Sequence, residues 1–579
     1  MKRLIKYMKI RLAESILAPL FKMLEALFEL FVPILVAKLV DEGIGRGDVS
    51  FIVKVGLFLI LLGVVGFVSA ITAQYFAAKS AVAVGTAMRR DLFSHINSFT
   101  YKEIDEVGVS TLVTRMTNDI NQVQNGVNMF LRLFMRSPFV VFGAMVMAFF
   151  IDAETAWIFL ITIILLLLAV CFVAFVTMPL YKKVQAKLDR VMLSTRENLS
   201  GVRVVRAFNR QKSESDGYEK ETSALYRAQI FVGKISALLN PVTLVLVNAA
   251  IILLLLTGAW KVDGGRLTQG EVIALINLMS QILVELIKLV NTIILISKAS
   301  ASLARVNAVF DTTPSTDEHS GGKLEAAGGV SVEFRDVSFR YPEASSEAVD
   351  SVSFKAEAGE TIGIIGATGS GKSTLVNLIP RFYETSEGEI LIDGKKASEI
   401  SVSSLRERIA TVPQKAQLFA GSIRHNLKMA NPEADDWQMY TALEVAQALD
   451  FVEDKGEGLD YMIEQGGRNL SGGQKQRLTI ARALVKNPSV LILDDSASAL
   501  DYATDARLRL ALKEYSRDMT VFIVSQRVAT VRSADKIAVL DDGRLAGFGT
   551  HRELLSGCEV YREICNTQMK REEIERDEK

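Results

Sequence analysis

Cysteine is scarce in this sequence. Cys171, Cys558 and Cys565 are the only three in 579 residues, and their spacing suits neither a metal centre nor a disulfide framework. Cys171 falls in an apolar run, while Cys558 and Cys565 fall in a C-terminal helix expected to be cytosolic and reduced. Net charge is missing too. The 66 Lys and Arg residues balance 66 Asp and Glu, which excludes nucleic-acid binding as the main task. The N-terminal run MKRLIKYMKIRLAES lacks a short apolar core ending in a small-residue cleavage site. It reads as an interfacial helix leading into a first membrane span, not as a removable leader.

What is present is length and apolar runs. A chain of this size exceeds what one hydrophobic core supports, so at least two domains are expected. Mean hydropathy is +0.25 although 23% of the residues are charged, a mixture that joins a membrane part to a soluble part. Six apolar stretches, centred on 15–40, 52–75, 129–151, 156–180, 235–259 and 272–297, reach the roughly 20 residues that a bilayer requires. The clearest is TAWIFLITIILLLLAVCFVAFV. Gaps after the first, third and fifth stretches are short. Those after the second and fourth, near 76–128 and 181–234, are long and rich in Lys and Arg. Basic loops stay in the cytosol, so both long segments and both termini are expected there. Their polar, helix-favouring character predicts spanning helices that continue well below the membrane.

The pattern changes after Lys298. The stretch DTTPSTDEHSGGKLEAAGG reads as a linker, and from about Val330 short β-branched runs alternate with amphipathic helices. That alternation predicts an α/β domain with a largely parallel sheet. The expected organisation is a six-helix transmembrane domain over 1–300, a linker over 301–328, an α/β domain over 329–567 and a charged tail over 568–579.

The strongest motif is Gly366-Ala367-Thr368-Gly369-Ser370-Gly371-Lys372-Ser373-Thr374, which comes directly after the strand-like run TIGII. It fits the phosphate loop G-x-x-x-x-G-K-[ST]. Glycines let successive backbone N–H groups turn inward around phosphates, and the helix after them adds its positive end. Lys372 would neutralise the outer phosphates, and the Ser373 hydroxyl would take a Mg²⁺ position. Downstream, Val490 to Asp494 reads as a buried strand, with Asp495 next to it. Asp494, at the strand's carboxyl end, stands where a Mg²⁺-binding carboxylate belongs. Between the two motifs lies Leu470-Ser471-Gly472-Gly473-Gln474, with Ser471 a good N-cap and glycines that expose N–H groups at a helix start.

With these motifs in this order the whole chain resembles the ABC exporters, an α-helical membrane domain fused to an ATP-binding cassette. The resemblance implies a dimer in which two cassettes sandwich two ATP molecules, each Ser471–Gln474 signature facing the partner's phosphate loop. It further implies that Tyr341 stacks on adenine and that Gln414 contacts Mg²⁺ and senses the membrane domain. Ser498-Ala499-Leu500-Asp501 matches the loop that crosses between cassettes. Short coupling helices are expected near Thr100–Val107 and Arg203–Gln211. A bacterial cytoplasmic membrane location, with the ATP-binding domain in the cytosol, goes with the same resemblance.

Two positions depart from the family pattern. The family's hydrolytic Glu after the Mg²⁺-binding Asp is here Asp495, and the His of its "S-H-R" run is here Gln526. All four histidines, His95, His319, His425 and His551, lie elsewhere. Asp is shorter than Glu by one C–C bond, about 1.5 Å. A general base must reach its water, and losing a well-placed one costs on the order of 10²–10⁴ in rate. The pattern resembles one half of heterodimeric bacterial exporters of the multidrug type. It implies that this chain's phosphate loop serves a weakly hydrolytic site while its intact signature completes the active site of a partner carrying Glu and His. Membrane lipid and a small-molecule cargo are the other expected partners. Inside the spans, Glu25 and Glu29 share a helix face with only Lys22 nearby, which allows a cation-facing cavity or a helix contact. Glu285 and Lys288 can pair with each other.

Overall fold

The computed structural model describes the chain except residues 1, 316–320, 325–327, 343, 517, 571, 573 and 575–579. His319 and parts of the expected linker and tail lie outside the described residues. The chain forms two compact units, Met1–Ser94 with Ser110–Asp311, and His95–Val109 with Thr312–Lys579.

The first unit is helical: α1 (Leu12–Lys38), α2 (Val49–Asn97), α3 (Val109–Ile151), α4 (Ala153–Ser200), α5 (Gln211–Asp263) and α6 (Gln269–Asp311). Helices α2 to α6 are long and apolar enough to cross a membrane. At 43 to 53 residues each they measure about 65–80 Å, roughly twice a bilayer's hydrocarbon core. A helix satisfies its own backbone N–H and C=O groups, so the apolar part of each can sit in lipid while the polar part continues beyond it. The helix α6 runs to Asp311, into the segment assigned from sequence to a linker.

The helix α1 carries Lys22, Glu25 and Glu29 within 27 residues, and so falls short of the same apolar measure. Its charges are nonetheless matched. Lys22 pairs with Glu25 at 2.5 Å. The Arg136 guanidinium, on α3, bridges Glu29 of α1 and Glu285 of α6. Glu285 also takes Lys288 at 3.0 Å and the Ser137 hydroxyl at 2.9 Å. Both carboxylates are therefore paired, Glu25 locally with Lys22 and Glu29 with an arginine that α3 brings in from more than a hundred positions away. Around this network Leu30, Val140, Ala144, Leu278 and Ile282 are buried in one apolar cluster. The approach is tight, since a Cβ on Gly143 would lie 2.4 Å from Leu30.

The N-terminal segment forms the short helix Lys2–Met8, held against α2 and α6. Tyr7 donates its hydroxyl to Asp91 at 3.1 Å, and Arg3 pairs with Asp311 at 2.8 Å. Those partners lie on the polar extensions of α2 and α6, about 24 Å along the helix from the end of the apolar run at residue 75. Arg3 finds a carboxylate there.

In the second unit, β1 (Val332–Phe339), β2 (Val349–Ala356), β4 (Glu387–Ile392) and β5 (Lys395–Lys396) form an antiparallel sheet in the order β2-β1-β4-β5. A six-stranded sheet runs β12-β11-β3-β10-β9-β6. It comprises β3 (Thr361–Gly366), β6 (Ile409–Val412), β9 (Val490–Asp494), β10 (Thr520–Val524), β11 (Lys536–Asp541) and β12 (Arg544–Gly549). All its pairs are parallel except β11 with β12. Every residue of β9 is buried, the continuous apolar run of a strand covered on both faces. β10 lies between β3 and β9, so the carboxyl ends of these three strands open side by side.

The short helix Tyr101–Val107 belongs to this second unit, not to the membrane unit in which residues 1–300 were placed from sequence. Its Tyr101 ring stacks on Phe382 at 4.4 Å, and Tyr383 donates its hydroxyl to Asp105 at 2.5 Å. The second expected segment contains the short helix Val202–Ala207 in the first unit, with Val204 and Phe208 exposed.

The Arg136 bridge yields a prediction. Arg136→Met leaves Glu29 without a cation and the buried Glu285 with only the half-exposed Lys288, and should destabilise the protein by about 3–5 kcal/mol. Lys288→Met, at a half-exposed site, should cost far less. Thermal unfolding of the two variants in the same detergent measures the difference.

Candidate functional site

The loop after β3 is shaped by glycines that no other residue could replace. A Cβ on Gly366 would sit 2.1 Å from the Leu540 carbonyl oxygen. Gly371 has φ +87°, and a Cβ there would sit 2.2 Å from the Ala348 carbonyl oxygen. The chain then enters α7 (Lys372–Leu378), aiming its first N–H groups at the space above the strand ends.

Lys372 is buried in that space. Its Nζ donates to the carbonyls of Gly366 (3.0 Å) and Ala367 (2.5 Å) and to Ser370 Oγ (3.3 Å). Among the described residues no carboxylate forms an ion pair with it. Burial pushes its ammonium below the usual lysine range, opposed by the fields of Asp495 and Asp494. A cation held only by neutral oxygens is a seat for an anion. Opposite it, Ser373 Oγ donates to Asp494 Oδ1 at 2.8 Å, and burial raises the Asp494 carboxyl.

Asp495 comes next in the left-handed region, with φ +44°. Its Oδ2 accepts from Gln414 Nε2 at 3.3 Å, and Thr368 Oγ1 lies 3.5 Å from Gln526 Oε1. All these groups line one cavity of about 320 Å³. Tyr341 lies on it too, with its ring edge-on to Phe339 (4.9 Å) and Tyr383 (5.4 Å) and its hydroxyl 3.2 Å from Thr374 Oγ1.

The cavity thus collects Tyr341, Thr368, Gly369, Gly371, Lys372, Ser373, Thr374, Gln414, Asp494, Asp495 and Gln526 from the residues singled out in the sequence. Gly366, Ala367 and Ser370 stand behind it as the acceptors of Lys372. Ser471, Gly472, Gly473, Gln474 and Asp501 are not among its lining residues. Ser471 caps α8 (Gly472–Val485): its Oγ accepts the Gln474 N–H at 3.3 Å, while its own N–H donates to Gln474 Oε1 at 2.9 Å. Asp501 caps α9 (Tyr502–Tyr515) by accepting the Thr504 N–H at 2.9 Å and its hydroxyl at 2.8 Å. The two caps adjoin, since a Cβ on Gly473 would lie 3.3 Å from the Ala499 oxygen, whereas one on Gly472 would meet nothing within 4 Å.

Sequence reasoning missed Gln568. Its Nε2 donates to the Gln526 carbonyl at 2.8 Å, and its Oε1 accepts the Val528 N–H at 2.9 Å, clamping the loop after β10 from behind. It lies 42 positions from Gln526, with no motif around it to mark the contact.

Comparison with known proteins agrees with this geometry. Residues 15–286 match the ABC transporter transmembrane region, and residues 349–498 match the ABC transporter family. An ABC transporter ATP-binding protein of Bacillus subtilis, YfiB, is 36% identical over 96% of both chains. An ATP-dependent lipid A-core flippase of Yersinia pestis is 30% identical over 96% of this chain and 95% of that one. The solved structure of a bacterial Atm1-family ABC exporter with ATP bound has the same fold, with a TM-score of 0.80 at 24% identity, covering 97% of this chain and 98% of the other.

Lys372 allows a direct test. Lys372→Ala removes the cation from the cavity and should weaken nucleotide binding about tenfold to a hundredfold, the worth of a charge-assisted hydrogen bond. Equilibrium titration with a fluorescent ATP analogue measures it, with Lys475→Ala, outside the cavity, as the control.

Proposed function

Because this chain belongs to the ABC transporters, as an exporter half that joins a membrane-spanning domain to an ATP-binding cassette, we propose that it is the weakly hydrolysing half of a heterodimeric exporter. The observation that carries this reading is the pair of side chains beside the buried Lys372. They are a short carboxylate, Asp495, tied to Gln414, and a neutral amide, Gln526. The family pattern has Glu and His at those two positions. Neither substitute offers the reach or the proton chemistry of the original, while every group that would hold the nucleotide is in place.

In this reading Lys372 and the N–H groups of the phosphate loop neutralise the phosphates, and Tyr341 offers its ring to adenine. Ser373 Oγ, Asp494 and Gln414 present oxygens suited to Mg²⁺, which prefers oxygen ligands and keeps some waters and phosphate oxygens of its own. Among the described residues no group of three His, Cys, Asp or Glu side chains could hold a metal unaided. Bound Mg²⁺ adds positive charge against the phosphates. Ser471–Gln474 and Asp501, away from this cavity, complete the site of the partner. ATP binding favours closure of the paired cassettes, and the short helices Tyr101–Val107 and Val202–Ala207 carry that closure to the spans in the bacterial cytoplasmic membrane. The cargo is a lipophilic or amphipathic compound, in line with the relative named as a lipid A-core flippase.

The experiment pairs this chain with a second exporter half that carries Glu and His. Ser471→Ala in this chain should nearly abolish ATPase activity of the mixed dimer, whereas Asp495→Asn should leave most of it. Purified alone, the chain should bind ATP and turn it over slowly, and Asp495→Glu with Gln526→His should raise the rate on the order of 10²-fold or more. Equal effects of the two single substitutions, or fast turnover by the unmodified chain alone, would sink the asymmetric reading.

A further inference from the structure

The membrane unit holds a second cavity, of about 410 Å³, between α1 and α6. Val32 and Pro33 of α1 and Val284 of α6 form apolar walls, and Glu29 and Lys288 also line it. These two charges are the ends of a row of four with alternating sign: Glu29, Arg136, Glu285, Lys288.

The inner and outer members of the row differ. Arg136 and Glu285 have side chains only 7% and 4% exposed, and each bonds to both of its neighbours. Ser137 takes the second Glu285 oxygen. The outer members are open, Glu29 at 43% and Lys288 at 45%. Among the described residues Glu29 has a single partner, Arg136, and Lys288 commits one of its three protons, to Glu285. A network that served only to hold α1, α3 and α6 together would need the buried pair and Glu29. It would not need a second cation presented to the cavity beside an already satisfied carboxylate. Ionisable groups left open within a membrane span face water or a ligand.

We propose that this cleft binds a zwitterionic amphiphile, with the ammonium of its head group at Glu29, its phosphate or carboxylate at Lys288 and its alkyl chain along the valine and proline walls. A simple cation drawn to Glu29 would meet the fields of Arg136 and Lys288, and a simple anion drawn to Lys288 would meet those of Glu29 and Glu285. Only a head group bearing both charges gains at both ends. Gln281 also lines the cleft, and among the described residues its buried Oε1 has no hydrogen-bond partner. The inference rests on the exporter reading only in naming this ligand as cargo, since binding itself needs no ATP.

The test uses the full-length protein in neutral detergent and three amphiphiles with one tail fluorophore. Their head groups are phosphocholine, trimethylammonium and phosphate. Unmodified protein should bind the phosphocholine compound about tenfold more tightly than either singly charged one. Glu29→Gln, which keeps an acceptor for Arg136, should remove that preference and shift selectivity towards the phosphate compound. Lys288→Gln should shift it towards the trimethylammonium compound. Glycerophosphocholine without a tail should not compete. Head-group-blind binding, a uniform loss in both variants, or full competition by the tailless zwitterion would each overturn the proposal. ATP titration of the same variants separates the two readings. Intact ATP binding without head-group preference sinks the cleft alone, whereas lost asymmetry in the mixed-dimer ATPase leaves the cleft standing.

Discussion

A charge taken out of water must be met by an opposite charge or by enough polar atoms, and each unit of this chain is organised around one such cation. In the membrane unit it is Arg136. Its guanidinium meets Glu29 and Glu285, and the contact ties α1, which carries Lys22, Glu25 and Glu29 in its span, to α3 and α6. In the cassette it is Lys372. It meets two carbonyls and a hydroxyl but, among the described residues, forms no ion pair. The first arrangement is electrically closed. The second has unused positive charge, and the cavity above it is where an anion relieves the cost of burying that charge.

Strand topology then determines which groups can reach that anion. Since β3, β10 and β9 are neighbours and parallel, their carboxyl ends deliver the phosphate loop, Gln526 and the Asp494–Asp495 pair to one edge of the sheet. Ser471 and Asp501 start helices away from this cavity, and their caps adjoin each other. On the proposed reading, one chain offers most of one nucleotide site and a fragment of another. A weakness at Asp495 and Gln526 and an intact cap at Ser471 are, on the proposed reading, properties of two different sites.

The parts legible in the sequence were those whose physics is local. The phosphate loop is nine contiguous residues whose spacing of glycines, Lys372 and Ser373 is readable on its own, although the atoms that demand Gly366 and Gly371 belong to Leu540 and Ala348. The helices α2 to α6 announce themselves by length and apolarity, and Asp494 by the buried run before it. What stayed hidden depends on pairing across distance. Arg136 carries no local signal of its role, because its partners stand 107 and 149 positions away. Gln568 sits in a tail helix, with nothing local to tie it to Gln526. The segment His95–Val109 reads as part of a long membrane-domain loop. Its place in the second unit goes with contacts distant in sequence, among them the stack of Tyr101 on Phe382, the Tyr383 hydroxyl on Asp105 and the Ser315 N–H on Glu103.

The cap at Ser471 shows how a motif can be preorganised without its ligand. In its reciprocal bonds with Gln474, each side chain satisfies a backbone N–H of the other, so the first turn of α8 forms without outside help. Gly472, with open space beside it, leaves that turn uncovered for an anion approaching from another subunit. The ordering cost is met by the chain's own cap, so a facing phosphate would find the helix end already built. Asp495 is different. Its carboxylate is drawn to Gln414 on a backbone turned to positive φ, and it lacks the extra methylene that a longer acid would use to reach past that contact. The same chain thus presents a ready surface outward and a shortened reach inward, and that contrast is what favours an unequal pair over two identical halves.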